Sequence, residues 1–307
     1  MRSETTLFPL FALAFAACTT NADAYRAILP DERLLIEDFD SDSLARGVGD
    51  PSDYYTLTRD VTRETNAGIG AVLELVGAIT AFDPTWTDDD AKALWGPWLD
   101  DGTYGQLWVT ETAEGGYEWA IELRPEASDE DAWVGVLGGS VDPGATADES
   151  AGRFAMDLTA IDAVGAGDDD TTGALGVEYT LRVDGAAATV AFGDISEDGA
   201  LPQDAAYRYD LTQGKGGYMD LAFEEDVSDP ANGTFETAIV RSRWDGTGAG
   251  RADAYVTGGD LGPLTYTETD CWDVAHQTVF LENNFELVSA GDPAACAFAD
   301  ASFNESR

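Results

Sequence analysis

The sequence predicts a mainly β protein: a single curved antiparallel meander sheet of about 10 or 11 strands, open or closed into a barrel, covered by one N-terminal helix. Three observations predict this class. Apolar and polar residues alternate with a period of two over most of the chain, turn sequences separate the alternating segments, and helical periodicity is confined to one stretch near the beginning.

The helix is predicted to start at Asp50-Pro51, with Asp50 as N-cap and Pro51 as the first helical residue. Apolar residues then recur every three or four positions from Tyr54 to Ile79, which is the helical period. Gly68 and Gly70 are expected to bend or break the helix, and Phe82-Asp83-Pro84 to end it.

The strands are predicted from alternation, as in Tyr117-Glu-Trp-Ala-Ile-Glu-Leu123, where one face is apolar and the other polar. Glycine-containing turns such as Asp184-Gly185 follow at short intervals, so neighbouring strands should pair antiparallel. A short second helix is expected over residues 88–94. The predicted strands are 106–112, 117–123, 133–141, 154–158, 175–183, 189–192, 207–211, 219–223, 234–244, 251–257 and 264–269.

The charge of the chain excludes some partners. With 59 acidic residues, 16 Lys and Arg and one His, the formal net charge is −43. Such a chain does not bind nucleic-acid phosphates through a general basic face, nor does it dock electrostatically on anionic lipid. Because salt screens self-repulsion, an acidic surface with few lysines suits salty surroundings.

The N-terminus reads as an export signal. Residues 7–17 are an apolar run too short to span a bilayer, which needs about 20 residues. The run ends in Phe15-Ala-Ala-Cys18, which resembles the lipobox of bacterial lipoproteins. The alternative is an ordinary signal peptide that happens to contain a cysteine.

The lipobox resemblance implies that Cys18 is acylated and that the chain is cut just before it. By resemblance to lipoprotein sorting, Thr19 in place of Asp favours the outer membrane. We therefore expect a signal peptide over 1–17, a lipid-anchored tether and leading segment over 18–50, and a helix-plus-β-meander domain over 51–307. The acyl chains are the expected link between this acidic protein and the bacterial membrane.

Two further cysteines, Cys271 and Cys296, form an even pair in a chain predicted to be exported. They are expected to form a disulfide that clips the C-terminal segment to the body. Two free buried thiols are the alternative.

Residues for catalysis are scarce. The only histidine, His276, lies close to Cys271 in the sequence, and a Gly-x-Ser-x-Gly turn and a phosphate-binding glycine loop are both absent from the sequence. The sequence therefore predicts a non-enzymatic protein with no catalytic residues, no metal site and no cofactor. A calcium-binding alternative rests on acidic triplets at Asp38-x-Asp40-x-Asp42, 88–90 and 168–170.

A carbohydrate-binding alternative rests on eight tryptophans beside many carboxylates. Six tryptophans fall between Trp86 and Trp133, and Trp95-Gly-Pro-Trp98 is expected to precede the first strand and plug one end of the sheet. Exposed tryptophans next to carboxylates would favour this alternative.

The C-terminal part resembles uncharacterised acidic lipoproteins of Gram-negative bacteria. The resemblance lies in residues 242–253, in Cys271-Trp272 and in Asp292-Pro-Ala-Ala-Cys296. The order of one helix followed by a meander is similar to half-barrel carriers that hold lipids or lipoproteins in the periplasm. That similarity implies an architecture only, because fold does not imply function.

Three functional hypotheses follow. The first is a non-enzymatic lipid-anchored lipoprotein with a structural or envelope-associated role. The second is a carrier of a lipid or another hydrophobic ligand, which requires an apolar cavity between helix and sheet. The third is a calcium- or carbohydrate-binding module or hydrolase.

Overall fold

A computed structural model describes residues 47–88, 92–146, 149–167, 171–197, 200–226 and 234–300. Its main element is one antiparallel sheet of 15 strands that follow one another in chain order, with the first and last strands as separate edges. The sheet is therefore an open meander. Its strands are β1 (Trp86–Thr87), β2 (Lys92–Asp100), β3 (Thr103–Glu111), β4 (Tyr117–Pro125), β5 (Val134–Val141), β6 (Ser150–Asp157), β7 (Thr172–Arg182), β8 (Gly185–Ser196), β9 (Gln203–Thr212), β10 (Gly216–Glu225), β11 (Glu236–Asp245), β12 (Gly250–Gly258), β13 (Thr265–Trp272), β14 (Thr278–Asn283) and β15 (Val288–Gly291).

The predicted meander is confirmed, and the structure adds strands at both ends of it. The strands not predicted are β1, β2, β14 and β15. The short helix expected over 88–94 is wrong, because residues from Lys92 onward pair with β3, Leu94 opposite Trp108 and Trp95 opposite Leu107. The expected plug at Trp95-Gly-Pro-Trp98 is likewise part of β2, where an irregularity in the pairing falls.

The long helix, α1, spans Asp53–Thr80. Its N-cap is Ser52 and not Asp50, since the Ser52 hydroxyl accepts a hydrogen bond from the Tyr55 amide at 3.0 Å. Asp50 is used differently: its carbonyl accepts from the Thr278 amide. Gly68 and Gly70 do not break the helix. A short second helix, α2 (Leu158–Ala163), joins β6 to β7 and was not predicted.

Helix α1 crosses the inner face of the sheet from the last strands towards the first. A helix of 28 residues is about 42 Å long, which suits such a crossing. Side-chain hydrogen bonds join the helix and its C-terminal turn to four strands, in the reverse of chain order: Ser52 to Asp270 of β13 at 2.6 Å, Thr58 to Ser242 of β11 at 2.6 Å, Asn66 to Tyr207 of β9 at 3.2 Å, and Phe82 to Trp95 of β2 at 2.8 Å.

The apolar core lies between the C-terminal half of α1 and the inner face of the sheet. The helix contributes buried Ile69, Val72, Leu73 and Val76. The strands contribute alternate residues, among them Leu107 and Met219, which are both fully buried. These side chains form one continuous cluster from β2 to β12. The helix thus fills the apolar face that alternation predicted.

Several tryptophan rings of the sheet lie close to a glycine of the neighbouring strand. Trp119 is paired with Gly139 and Trp244 with Gly217. A Cβ atom on Gly139 would lie 2.6 Å from the Trp119 ring, so no larger residue fits there without displacement. This pairing is one reason why the sheet contains many glycines and tryptophans.

Candidate functional site

The predicted lipid anchor, Cys18, lies outside the described residues. So do the acidic triplets at 38–42 and 168–170. Of the triplet at 88–90 only Asp88 is described, and its side chain accepts a hydrogen bond from the Lys92 amide at 2.9 Å. These candidate sites therefore stay predictions from the sequence.

The predicted disulfide between Cys271 and Cys296 is confirmed, with their Cα atoms 5.3 Å apart. The alternative of two free thiols is wrong. Cys271 is at the end of β13 and faces away from α1, because its neighbour Asp270 points to the start of the helix. The bond holds the C-terminal segment against the outer face of the sheet.

The C-terminal segment is also held by hydrogen bonds. The Arg251 guanidinium donates to the carbonyl of Ala299 at 2.6 Å and forms an ion pair with Asp253 at 2.8 Å. Thr269 donates to the same carboxylate, which is buried. Residues up to Asp300 thus cover part of the outer face beside β12 and β13.

His276 supports the start of α1. Its ring stacks on Tyr55 with 3.9 Å between the ring centroids, and its carbonyl accepts from the Ser52 amide at 2.9 Å. Burial lowers the pKa of His276 and raises the pKa of Tyr55 to about 12. His276, the only histidine of the sequence, thus packs against the first turn of α1 and helps to hold the helix in place.

Asp270 lies in the same region, under the N-terminus of α1. Its carboxylate accepts hydrogen bonds from the hydroxyls of Ser52 and Thr278 and from the backbone of Tyr54. Burial nevertheless raises the pKa of Asp270 above its usual value, because desolvation outweighs these hydrogen bonds. A carboxylate beside a helix N-terminus is otherwise favourable, so this group positions the helix.

An aromatic surface lies on the outer face of β1–β4. Trp86 is 46% exposed and meets the edge of Trp108 with ring centroids 6.0 Å apart. The Trp108 indole donates to Glu122 at 3.1 Å, and Gln106 donates to the same oxygen at 2.6 Å. Trp86 is thus exposed, but the tryptophan that contacts the carboxylate is the half-buried Trp108.

A groove of about 460 Å³ lies on the outer face of β9–β11, walled on one side by Phe298 of the C-terminal segment. Register places Arg208, Asp220 and Arg241 side by side on three adjacent strands. In the next row Tyr218 lies beside Arg243. These side chains face away from α1, since Tyr207 and Ser242 between them bind the helix. We call this feature the arginine groove.

Asp220 is the central acid of the arginine groove. Burial raises its pKa, and the charges of Arg241, Arg208 and Arg243 oppose that rise. The Arg241 Nε atom is 3.8 Å from the nearest Asp220 oxygen. Three guanidinium groups therefore act on this carboxylate, and the carboxylates of Asp210 and Asp245 also line the groove.

Sequence reasoning missed the arginine groove. The signal was the i, i+2 spacing of Arg208 with Asp210 and of Arg241 with Arg243, which places each pair on one face of a strand. The spacing does not reveal which strands are neighbours, so the convergence of the groups depends on sheet register.

Within the described ranges, no group of three or more His, Cys, Asp or Glu residues is arranged to hold a metal ion. No helix in this part of the chain is long and apolar enough to cross a membrane. Comparison of the chain with protein-family models, curated proteins and solved structures finds no match in any of the three.

Proposed function

We propose that this protein is a lipid-anchored, non-enzymatic lipoprotein of the bacterial cell envelope, held to the outer membrane by acyl chains on Cys18. The observation that carries the proposal is the short apolar run that ends in Phe15-Ala-Ala-Cys18. Two or more acyl chains give stable attachment, since each buried CH₂ contributes about 0.8 kcal/mol.

The disulfide supports this compartment. Disulfides persist in oxidising surroundings such as the periplasm, and Cys271 and Cys296 are bonded to each other. Cys18 is thereby the only remaining cysteine of the three. A free thiol next to a lipobox is what acylation requires.

The contacts around α1 support a structural role over a carrier role. A carrier would need an apolar cavity between helix and sheet. In the described part of this interface, the buried apolar residues of the C-terminal half of α1 pack with strand residues in one cluster. Buried Tyr55, near the start of α1, packs with Ala252 and Trp272 in a second, smaller cluster. The ring of His276 stacks on Tyr55 and helps to hold the helix, which supports a structural role for this residue.

The test is mass spectrometry of the full-length chain expressed with its N-terminus in a Gram-negative host. We expect the N-terminal peptide of membrane-bound protein to begin at Cys18 and to carry acyl chains, and Cys18→Ala to abolish both. Cys296→Ser is the matched control and should stay acylated. An unmodified Cys18, or membrane attachment that survives Cys18→Ala, would refute the proposal.

A second candidate function is carbohydrate binding at the aromatic surface of β1–β4. Sugar rings stack on exposed indoles, and exposed Trp86 lies next to Trp108, which in turn donates to Glu122. Soluble polysaccharides should quench tryptophan fluorescence, and Trp86→Ala should remove the effect. Trp133→Ala, with Trp133 stacked near Arg124, is the control that should bind normally. Equal binding by all three proteins would refute this candidate.

A further inference from the structure

The arginine groove brings together four of the 16 basic residues of a chain whose net charge is −43, and three acidic residues lie among them. The basic residues are Arg208, Lys215, Arg241 and Arg243, and the acidic ones are Asp210, Asp220 and Asp245. Five of the 16 basic residues of the chain lie on the outer face of β7–β12: Arg182, Arg208, Arg241, Arg243 and Arg251. A surface that serves only solubility in salt has no need of such a cluster.

Two arginines at the margins of the groove form short ion pairs, Arg182 with Asp210 at 2.7 Å and Arg251 with Asp253 at 2.8 Å. At the centre the contact between Arg241 and Asp220 is 3.8 Å. In the part of the chain that the structure describes, Arg208 is exposed and has no carboxylate within 4.0 Å.

We propose that the arginine groove binds a small molecule that carries a phosphate group. Arg208, Arg241 and Arg243 offer three guanidinium groups from three strand positions. A phosphate monoester has three terminal oxygens and a charge of about −2, and the planar guanidinium group of arginine binds such oxygens in pairs. A carboxylate, with one charge and two oxygens, matches the same groups less well.

The rest of the ligand has room in the groove. About 460 Å³ exceeds the volume of a phosphate group, and the rings of Tyr218 and Phe298 line the space. The Phe298 wall is held by the disulfide at Cys296. These features favour a phosphorylated molecule with a ring or a similar compact body over free phosphate.

The test is equilibrium binding to the full-length chain at constant ionic strength, because added salt alone alters a chain this acidic. The probes are phenyl phosphate, inorganic phosphate and benzoate. We expect saturable binding of phenyl phosphate, weaker binding of inorganic phosphate and the weakest binding of benzoate. Absence of saturable binding of phenyl phosphate, or benzoate binding as tightly, would overturn the proposal.

Variants distinguish a ligand site from a row of charges that only stabilises the sheet. Arg208→Gln should weaken phenyl phosphate binding about tenfold, whereas Arg153→Gln, which removes the same charge from the outer face of β6, should not. Asp220→Asn should tighten binding, since it removes the acid that competes for the arginines. If this row of charges only stabilises the sheet, Asp220→Asn should instead lower the melting temperature with no gain in binding. That result would overturn the proposal.

Discussion

The two halves of helix α1 meet the same sheet with different chemistry. In the N-terminal half the buried positions include Thr58, Thr62 and Asn66, whereas in the C-terminal half they include Leu73 and Val76. The polar half lies against β9–β13 through hydrogen bonds, and the apolar half joins the main core. The buried face of the helix thus forms hydrogen bonds in its N-terminal half and apolar contacts in its C-terminal half.

The apolar half of α1 supplies most of the stability, and the polar half determines where the helix lies on the sheet. A buried aliphatic side chain contributes about 1.5–3 kcal/mol, while a hydrogen bond contributes a net of about 1 kcal/mol. Apolar contacts have little directionality, so they alone would let a helix slide across a curved sheet. Hydrogen bonds to particular side chains of β9, β11 and β13 fix where the helix lies.

The largest expected effect is in the apolar half. Leu73→Ala should lower the free energy of unfolding by about 3 kcal/mol, because Leu73 is 3% exposed and its removal leaves a cavity. The matched control is Leu75→Ala on the same helix, where Leu75 is 49% exposed. Denaturant unfolding measures both. Similar losses in the two variants would contradict the assignment of the core to this face.

A smaller loss is expected at the polar end. Ser52→Ala removes the N-cap hydrogen bond to Tyr55 and the hydrogen bond to buried Asp270, which should cost about 2 kcal/mol. Thr56→Ala is the control, since among the residues that the structure describes its hydroxyl bonds only to the Ser52 carbonyl, at 3.1 Å. If Ser52→Ala unfolds at the same denaturant concentration as the control, the start of α1 is not fixed in this way.

The pH dependence of stability tests the same end of the helix. Because burial raises the pKa of Asp270 in the folded state, the folded state holds this proton more tightly than the unfolded state. Wild-type stability should therefore fall as the pH rises from the usual pKa, 3.8, through the raised folded value. The Asp270→Asn variant has no carboxylate at this position, so its free energy of unfolding should not fall for this reason. Its stability relative to the wild type should therefore rise over that pH range.

General charge repulsion also changes over that pH range, so a charge-matched control is needed. Glu114→Gln removes one negative charge at an exposed turn. The comparison is the difference in unfolding free energy between each variant and the wild type, measured from pH 3.5 to pH 7. Equal pH profiles for Asp270→Asn and Glu114→Gln would show that burial of Asp270 has no effect of its own.

The sequence predicted the sheet and the helix because both depend on local periodicity. Alternation at Tyr117–Leu123 is a property of one strand, and it survives in the structure as β4. Alternation did not predict the strand at Trp95-Gly-Pro-Trp98, where glycine and proline interrupt the period. It also did not predict β14 and β15, which are short. The helix start was misplaced because Asp50 pairs with a distant strand segment.

The site residues that could be predicted are likewise those that do not depend on which strands are neighbours. Cysteine pairing was predictable from number and compartment, and the bond between Cys271 and Cys296 is present. The arginine groove was not, since Arg208 and Arg241 are separated by β10 and meet only through register. Non-local convergence of this kind has no signature in a single sequence. Cys18 remains a prediction.

The smallest expected change in stability tests most directly whether the two halves of α1 have different roles. The Tyr207 hydroxyl donates to the Asn66 side chain, and within the described residues the Asn66 amide nitrogen is buried with no hydrogen-bond partner. Tyr207→Phe alone should cost about 1–2 kcal/mol, because it leaves the Asn66 oxygen without its donor. Combining it with Asn66→Leu should bring stability back to within about 1 kcal/mol of the wild type, since apolar groups then replace both partners.

If the polar half serves position, this double variant keeps its melting temperature but loses order near the helix. Hydrogen exchange of the α1 amides should then be faster than in the wild type, while the amides of β3 and β4 are unchanged. If instead the double variant is less stable than Tyr207→Phe alone, the polar contact contributes net stability. The polar half of α1 would then not serve only to fix the position of the helix.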